Sequence, residues 1–125
     1  MISTITAAQK VFLILDSVNY KKYLFKRDTK DTSNEEPFII INALPMNADV
    51  MQRCYVNVNF HCLNIVSGVP DAELMATVFD TINNLLDGYS DDTCLIDLDR
   101  HEIFVEDSLN YSFYNLRYSF NYINN

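Results

Sequence analysis

The hydrophobic positions at the start of the chain recur with the spacing of a helix. They lie three or four residues apart: Ile5, Ala8, Val11, Phe12, Leu15 and Val18. This stripe is typical of a helix that packs one face on a core. Thr6 and Gln9 have the spacing of a capping box, and Ser3 or Thr4 can cap one turn earlier. We expect the helix to end within residues 16–19.

Strand and loop patterns follow this helix. Residues 20–25 alternate weakly and predict a short edge strand whose lysines discourage unwanted pairing. Residues 26–36 contain no apolar residue, which predicts a solvated loop. The apolar run at 37–41 is typical of a strand buried on both faces, whereas the alternation at 54–62 predicts a strand with one buried face. We expect these two strands to pair through a hairpin loop near residues 45–52.

The strongest helical pattern lies in the middle of the chain. Its apolar stripe consists of Leu74, Met75, Val78, Phe79, Ile82, Leu85 and Leu86. Asp71 is a suitable N-cap, and Gly88 occupies the position where a left-handed residue commonly ends a helix. The pattern therefore predicts an amphipathic helix between these two residues.

Strand patterns return after this helix. Residues 93–98 and 103–105 predict two strands about a polar turn at 99–102. Residues 114–122 alternate apolar or aromatic with polar side chains, which predicts a long, half-buried closing strand. We expect residues 1–125 to form one α+β domain with the order α-β-β-β-α-β-β-β. An N-terminal helix and a central amphipathic helix accompany a mainly antiparallel sheet of about five or six strands.

Charge is distributed unevenly along the chain, whose formal net charge is −8. Residues 1–30 carry six basic and two acidic residues, a net charge of +4. Residues 31–125 carry three basic and fifteen acidic residues, a net charge of −12. One interpretation is a basic segment that lies beside acidic neighbours in the same copy. The other is complementarity, in which the basic segment of one copy meets the acidic flank of the next. Because a broad acidic surface repels phosphates, we expect no binding to nucleic acid.

Composition removes several classes of function. Only two glycines occur, which excludes the glycine-rich loops that cradle phosphates and the Gly-x-Ser-x-Gly turn of serine hydrolases. The three cysteines have no Cys-x-x-Cys spacing and indicate neither a zinc site nor a disulfide framework, so a reducing cytoplasm is expected. No apolar run approaches the roughly 20 residues of a membrane span. We expect no cofactor, no metal ion, no membrane contact and no enzymatic activity.

Two groups of residues are candidates for chemistry. His61 and Cys62 are adjacent, but neighbours in a strand point to opposite faces, so Cys62 is interpreted as a core residue. Asp97, Asp99 and His101 share one face if they remain extended, which offers oxygen and imidazole ligands to a cation. We favour a solvated turn instead, because Asp and the polar residues that flank it are turn formers. The aromatic residues of the closing strand fit a core face better than a stacking platform for single-stranded nucleic acid.

With its elements in this order, the chain resembles the tail terminator, or tail-completion, proteins of long-tailed bacteriophages and prophages. The resemblance rests on size and on the sequence of elements after the N-terminal helix, short strand and polar loop. The segment PFIIINALP at residues 37–45 pairs with CYVNVNFHC at 54–62. The helix GVPDAELMATVFDTINNLLDG at 68–88 and a closing antiparallel hairpin plus strand complete the pattern. It contains no catalytic or metal-binding motif.

The resemblance implies a structural protein of the virion tail, made in the host cytoplasm during assembly. Such a protein forms a homo-oligomeric ring, with a hexamer as the implied size, that caps the tail tube and contacts a head-completion protein. A ring needs a heterologous interface, in which two different patches of each copy meet. The alternative is a small soluble binding module or dimeric domain of a bacterial cell, without catalytic activity, that holds a small molecule between helix and sheet.

We expect the contacts of such a ring at two places. The residues of the basic segment are Lys21, Lys22, Lys26, Arg27 and Lys30. Those at the predicted hairpin tip are Asn47, Asp49 and Gln52.

Overall fold

The computed structural model describes residues 3–27, 36–44, 53–106 and 110–123, and these contain two α-helices and six strands. The helices are α1 (Thr4–Ile14), which continues as a short 3-10 turn (Leu15–Ser17), and α2 (Ala72–Leu86). The strands are β1 (Lys21–Leu24), β2 (Phe38–Ala43), β3 (Arg53–Leu63), β4 (Tyr89–Ser90), β5 (Cys94–Glu106) and β6 (Tyr111–Tyr122). The predicted α+β class, with its N-terminal and central helices, is confirmed.

The strands form one sheet in the order β1-β2-β3-β6-β5-β4. All neighbouring strands are antiparallel except β1 and β2, which are parallel. The predicted pairing of β2 with β3 is confirmed, with Phe38 opposite His61. The predicted hairpin loop at residues 45–52 lies outside the described residues. This order leaves β1 at one edge of the sheet and β5, with the short β4, at the other.

Both helices cover the same face of the sheet. α1 packs on β2 and β3, whereas α2 packs on β5 and β6. Each helix begins at a side-chain cap: Ser3 accepts a hydrogen bond from the Thr6 N–H at 3.0 Å, and Asp71 accepts one from the Leu74 N–H at 3.1 Å. Gly88 follows α2 at φ +80°, as its position in the sequence predicted.

The core lies between the helices and this covered face. Its largest fully buried side chains from the strands are Ile39, Ile41, Phe60, Ile96, Leu116, Tyr118 and Phe120. The Tyr118 hydroxyl donates to Asn83 Oδ1 on α2 at 3.0 Å, and burial raises the pKa of Tyr118 far above its ordinary value. The alternating face of the closing strand is therefore core, and it does not offer bases a stacking platform.

The predicted turn at residues 99–102 is wrong. β5 is one continuous strand that pairs with β6 over its length, apart from a bulge between Leu98 and Arg100. The long partner β6 holds the polar segment extended, and its side chains remain solvated because β5 lies near the edge of the sheet. The additional strand is instead the two-residue β4, which pairs with Leu95 and Ile96.

The prediction that the strand at residues 37–41 is buried on both faces is also wrong. Ile39 and Ile41 are fully buried beneath the helices, but Phe38 and Ile40 on the other face are only half-buried. The helices cover a single face of the sheet, so the apolar run reflects two different environments. The face of the sheet that the helices do not cover is here called the uncovered face, and it carries the side chains described below.

Candidate protein-contact surfaces

Four of the predicted contact residues lie at the β1 edge of the sheet. Lys21 and Lys22 belong to β1, and Lys26 and Arg27 follow it directly. Lys21 and Lys26 are exposed, whereas Lys22 and Arg27 are half-buried. This segment of β1 and the residues up to 27 contains no acidic residue. We call it the basic edge.

The two half-buried cations of the basic edge make local contacts. Lys22 Nζ donates to the carbonyl oxygens of Val18 at 2.8 Å and Tyr20 at 3.1 Å, just after the 3-10 turn. The Arg27 guanidinium lies over the Phe38 ring, 4.3 Å from its centroid. The exposed cations of this edge are Lys21 and Lys26.

A groove of about 600 Å³ runs beside the basic edge. Residues 16–22 form most of its wall, and Glu36 and Pro37 complete it. Carboxylates and ammonium groups share this wall, which suits a polar segment better than an apolar small molecule.

The other predicted contact residues are Lys30, Asn47, Asp49 and Gln52. All four lie outside the described residues. Their role in contacts stays a prediction from the sequence.

The opposite edge of the sheet is acidic. Residues 89–106, which form β4, β5 and the turn between them, include six acidic residues and one arginine, a formal charge of −5. Asp97 and Glu102 are exposed on the uncovered face of β5, and Asp99 Oδ2 lies 3.2 Å from Arg117 Nε on β6. Arg117 also covers the Tyr55 ring at 4.0 Å. We call β4 and β5 the acidic edge.

Asp91 connects the acidic edge to the first helix. Its Oδ2 lies 2.6 Å from Lys10 Nζ on α1, and its Oδ1 accepts hydrogen bonds from the Thr93 N–H and hydroxyl, both at 2.7 Å. The Lys10 ammonium and these two bonds hold the pKa of Asp91 well below its usual range. This carboxylate has a structural role in the turn between β4 and β5.

The hydrogen bonding on the outer side of β5 differs between the two halves of the strand. β4 covers Leu95 and Ile96, the Gly88 N–H donates to the Ile96 carbonyl at 2.8 Å, and the Leu98 N–H donates to Asp87 Oδ1 at 2.9 Å. Beyond this point residues 99–106 pair with β6 alone, among the residues that the structure describes. One half of the acidic edge is therefore closed, and the other half is an open strand edge.

A column of stacked rings crosses the uncovered face. Phe38, His61, Phe113 and Phe104 lie opposite one another on β2, β3, β6 and β5. Successive centroids are 4.7, 5.0 and 4.9 Å apart, with interplanar angles of 5°, 27° and 13°. Because the rings stack on each other, they turn their edges outward. The column begins at Arg27 near the basic edge and ends at Phe104 on the open strand edge.

His61 is an uncharged member of this column at neutral pH. Desolvation by burial, and then the nearby positive charge of Arg27, lower the pKa of His61 to about 4. Cys62 points to the opposite face, is 4% exposed and has its pKa raised to about 11 by burial. The expectation that these neighbours lie on opposite faces is confirmed, so they do not form a thiolate–imidazole pair.

An asparagine cluster occupies the uncovered face beside the column. Asn57 Nδ2 donates to Asn42 Oδ1 at 3.0 Å, and Asn115 Nδ2 donates to the Oδ1 atoms of Asn57 and Asn59 at 3.2 and 2.6 Å. These bonds join three neighbouring strands, β2, β3 and β6. Part of this cluster is visible in the sequence, because Asn57 and Asn59 occupy polar positions in the alternating pattern of β3.

The candidate cation ligands do not converge. Asp97 lies on the uncovered face, Asp99 pairs with Arg117 at the bulge, and His101 lies on the covered face with its Nδ1 2.6 Å from the Tyr114 hydroxyl. The bulge shifts the alternation between Asp97 and His101, which removes the shared face that the sequence suggested. Across the described ranges, no group of three or more His, Cys, Asp or Glu residues is arranged to hold a metal ion.

No protein-family model and no curated protein matches this sequence. Neither described helix is long and apolar enough to cross a bilayer.

Proposed function

We propose that this protein is a non-enzymatic structural subunit that assembles head to tail into a ring. The model for such a role is the tail terminator family of long-tailed bacteriophages, which the chain resembles in its order of elements. The ring, a hexamer in that family, caps the tail tube and offers a surface to a head-completion protein. Its place is the virion tail, after assembly in the host cytoplasm.

The observation that carries this proposal is the opposite charge of the two edges of one sheet. Lys21 and Lys26 are exposed at the basic edge, and Asp97 and Glu102 are exposed at the acidic edge. Opposite charges select one orientation of encounter and disfavour contact between like edges. A head-to-tail contact requires two such different patches.

The placement of the patches determines what kind of oligomer they support. They lie at the two ends of the strand order, with four strands between β1 and the end strand β4. One copy can therefore contact two neighbours at once. Contacts of this kind produce a closed ring if the rotation that relates each copy to the next leads back to the first copy, and an open filament if it does not.

The oligomeric state and the effect of charge reversal test the proposal. We expect electron microscopy and native mass spectrometry to show rings, either of the purified protein or of the protein on phage tail tubes. The double variant Lys21→Glu/Lys26→Glu should lose at least tenfold in apparent association constant at low salt. Glu73→Lys/Asp80→Lys, on the exposed side of α2, is the matched control and should assemble normally. Assembly unchanged by the lysine variant, or a protein that stays monomeric alone and on tubes, would contradict the proposal.

A second candidate function is a dimeric domain or small binding module of a bacterial cell. The uncovered face favours it, because its half-buried rings and asparagines form a broad, ordered surface. Two copies that pack through this face would form an isologous dimer. Native mass spectrometry would then give two copies, and the lysine double variant would dimerise like the wild type.

A further inference from the structure

We propose that strand addition forms the head-to-tail contact: residues 99–106 of β5 pair with β1 of a second copy. The sheet then continues from one copy into the next. This inference rests on the assembly proposed above and specifies the contact that it uses.

The first reason is the open backbone of β5. The Asp87 carboxylate and β4 end the outer pairing of β5 at Leu98, and within the described ranges residues 99–106 have a strand on one side only. The row of N–H and C=O groups on such an edge is a template for another strand. Among the described residues β1 pairs with β2 alone, and it therefore presents an equivalent edge at the other end of the sheet.

The second reason is the apolar run on this open edge. Ile103, Phe104 and Val105 are 38%, 39% and 43% exposed. Ile103 and Val105 are on the covered face, opposite Tyr114 and Ser112, whereas Phe104 is on the uncovered face. An exposed strand normally carries polar side chains on at least one face, so apolar side chains on both indicate an edge that is covered in the working assembly.

The third reason is the direction of the strands. Along the sheet, β1 and β2 run one way, β3 runs back, β6 follows β1, and β5 runs opposite to β1. A rotation about an axis along the strands keeps the direction of β1. The β1 strand of the next copy therefore approaches β5 antiparallel, the pairing that the rest of this sheet favours.

One register brings together side chains of matching character in most pairs of the added strand. With Tyr23 opposite Phe104, Leu24 lies opposite Ile103 and Lys21 lies opposite position 106, a glutamate. Tyr23 is on the uncovered face, where its ring lies edge-on to Phe38 with the centroids 6.0 Å apart, so it would join the column of its own copy to Phe104 of the next. Three of the four pairs in this alignment are thus aromatic, apolar or oppositely charged, and the fourth places Lys22 opposite Val105.

Disulfide cross-linking between two variants tests this register. Directly opposite residues of antiparallel strands have Cα atoms about 4.5–5.5 Å apart, within reach of a disulfide. An equimolar mixture of Tyr23→Cys and Phe104→Cys should form cross-linked heterodimers at least tenfold faster than Tyr23→Cys with Ile65→Cys. Ile65 is 65% exposed in the loop before α2, so Ile65→Cys is an accessible control position. The three natural cysteines are buried and should contribute few cross-links of their own.

A lysine on the open edge provides a second test. Phe104→Lys should weaken self-association at least tenfold, whereas Leu13→Lys, at a side chain that is 68% exposed on α1, should leave it unchanged. Backbone hydrogen exchange at residues 99–106 should slow when the wild-type protein assembles. Equal cross-linking rates in the two mixtures, together with normal assembly of Phe104→Lys, would overturn strand addition and leave the head-to-tail ring standing. A protein that never assembles would overturn both.

Discussion

The two edges of this sheet are protected from association in different ways. The basic edge is short: β1 has four residues, and lysines occupy two of them. The acidic edge is long, and its near half is closed by β4, Asp87 and a bulge, but its far half presents an apolar run. Charge and shortness are common ways to keep an edge from pairing indiscriminately. The proposed strand addition would use the far half of β5, the part of this edge that the described residues leave open.

The uncovered face connects these two edges. The ring column extends from Arg27 beside the basic edge to Phe104 on the open strand edge, with His61 between them. Protonation of His61 would place a positive charge within this stack and near Arg27.

The largest expected effect is the pH dependence that His61 causes. A base whose folded-state pKa is about 4, against an ordinary 6.5, contributes stability that is fully present above pH 6.5 and is lost as the pH falls towards 4. We expect the free energy of unfolding to fall by about 2–3 kcal/mol between pH 7 and 4 from this group. In His61→Phe, which keeps a ring in the column, urea titrations should show this loss reduced. The same pH slope in the variant and the wild type would show that His61 does not cause it.

An intermediate effect is expected where the closed and open halves of β5 meet. Asp87→Ala removes the acceptor of the Leu98 N–H, and the loss of this hydrogen bond should cost about 1–2 kcal/mol. Hydrogen exchange at Leu98 should become faster, because the open edge then begins nearer to β4. The exposed Asp80→Ala on α2 is the control and should change stability by less than about 0.5 kcal/mol. Unchanged exchange at Leu98 in Asp87→Ala would show that this carboxylate does not end the pairing.

The smallest expected effect separates two neighbouring lysines of the basic edge. Lys22→Met loses hydrogen bonds to the Val18 and Tyr20 carbonyls and should lower stability by about 0.5–1 kcal/mol while leaving assembly intact. Lys21→Met, at an exposed side chain, should weaken assembly at low salt. Chemical denaturation and light scattering measure the two quantities. A loss of assembly in Lys22→Met equal to that in Lys21→Met would contradict this division of roles.

Periodicity was sufficient to predict the elements that bury one regular face. The stripes of α1 and α2 and the alternation in β3 and β6 have a single environment on each side, so hydrophobicity repeats with the backbone. The caps Ser3 and Asp71 and the left-handed Gly88 follow from local hydrogen bonding and sterics in the same way. These features depend on residues close together in the sequence.

Features that depend on distant residues were not predictable from these patterns. Residues 99–102 have the composition of a turn, but pairing with β6 keeps them extended. The column joins Phe38, His61, Phe104 and Phe113 through strand register, which no local pattern contains. The charge difference between the first 30 residues and the rest was visible in the sequence. Its distribution over opposite edges came from the strand order.

The most direct test of head-to-tail assembly is the mixing of two charge-reversed variants. Lys21→Glu/Lys26→Glu lowers the formal charge of the basic edge from +4 to 0, and Asp97→Lys/Glu102→Lys changes that of residues 89–106 from −5 to −1. At low salt we expect each variant alone to be mainly monomeric, and an equimolar mixture to regain wild-type assembly with both proteins in each oligomer, as measured by native mass spectrometry. A mixture that stays monomeric while the wild type assembles, or variants that assemble alone as well as the wild type, would contradict the contact between opposite edges.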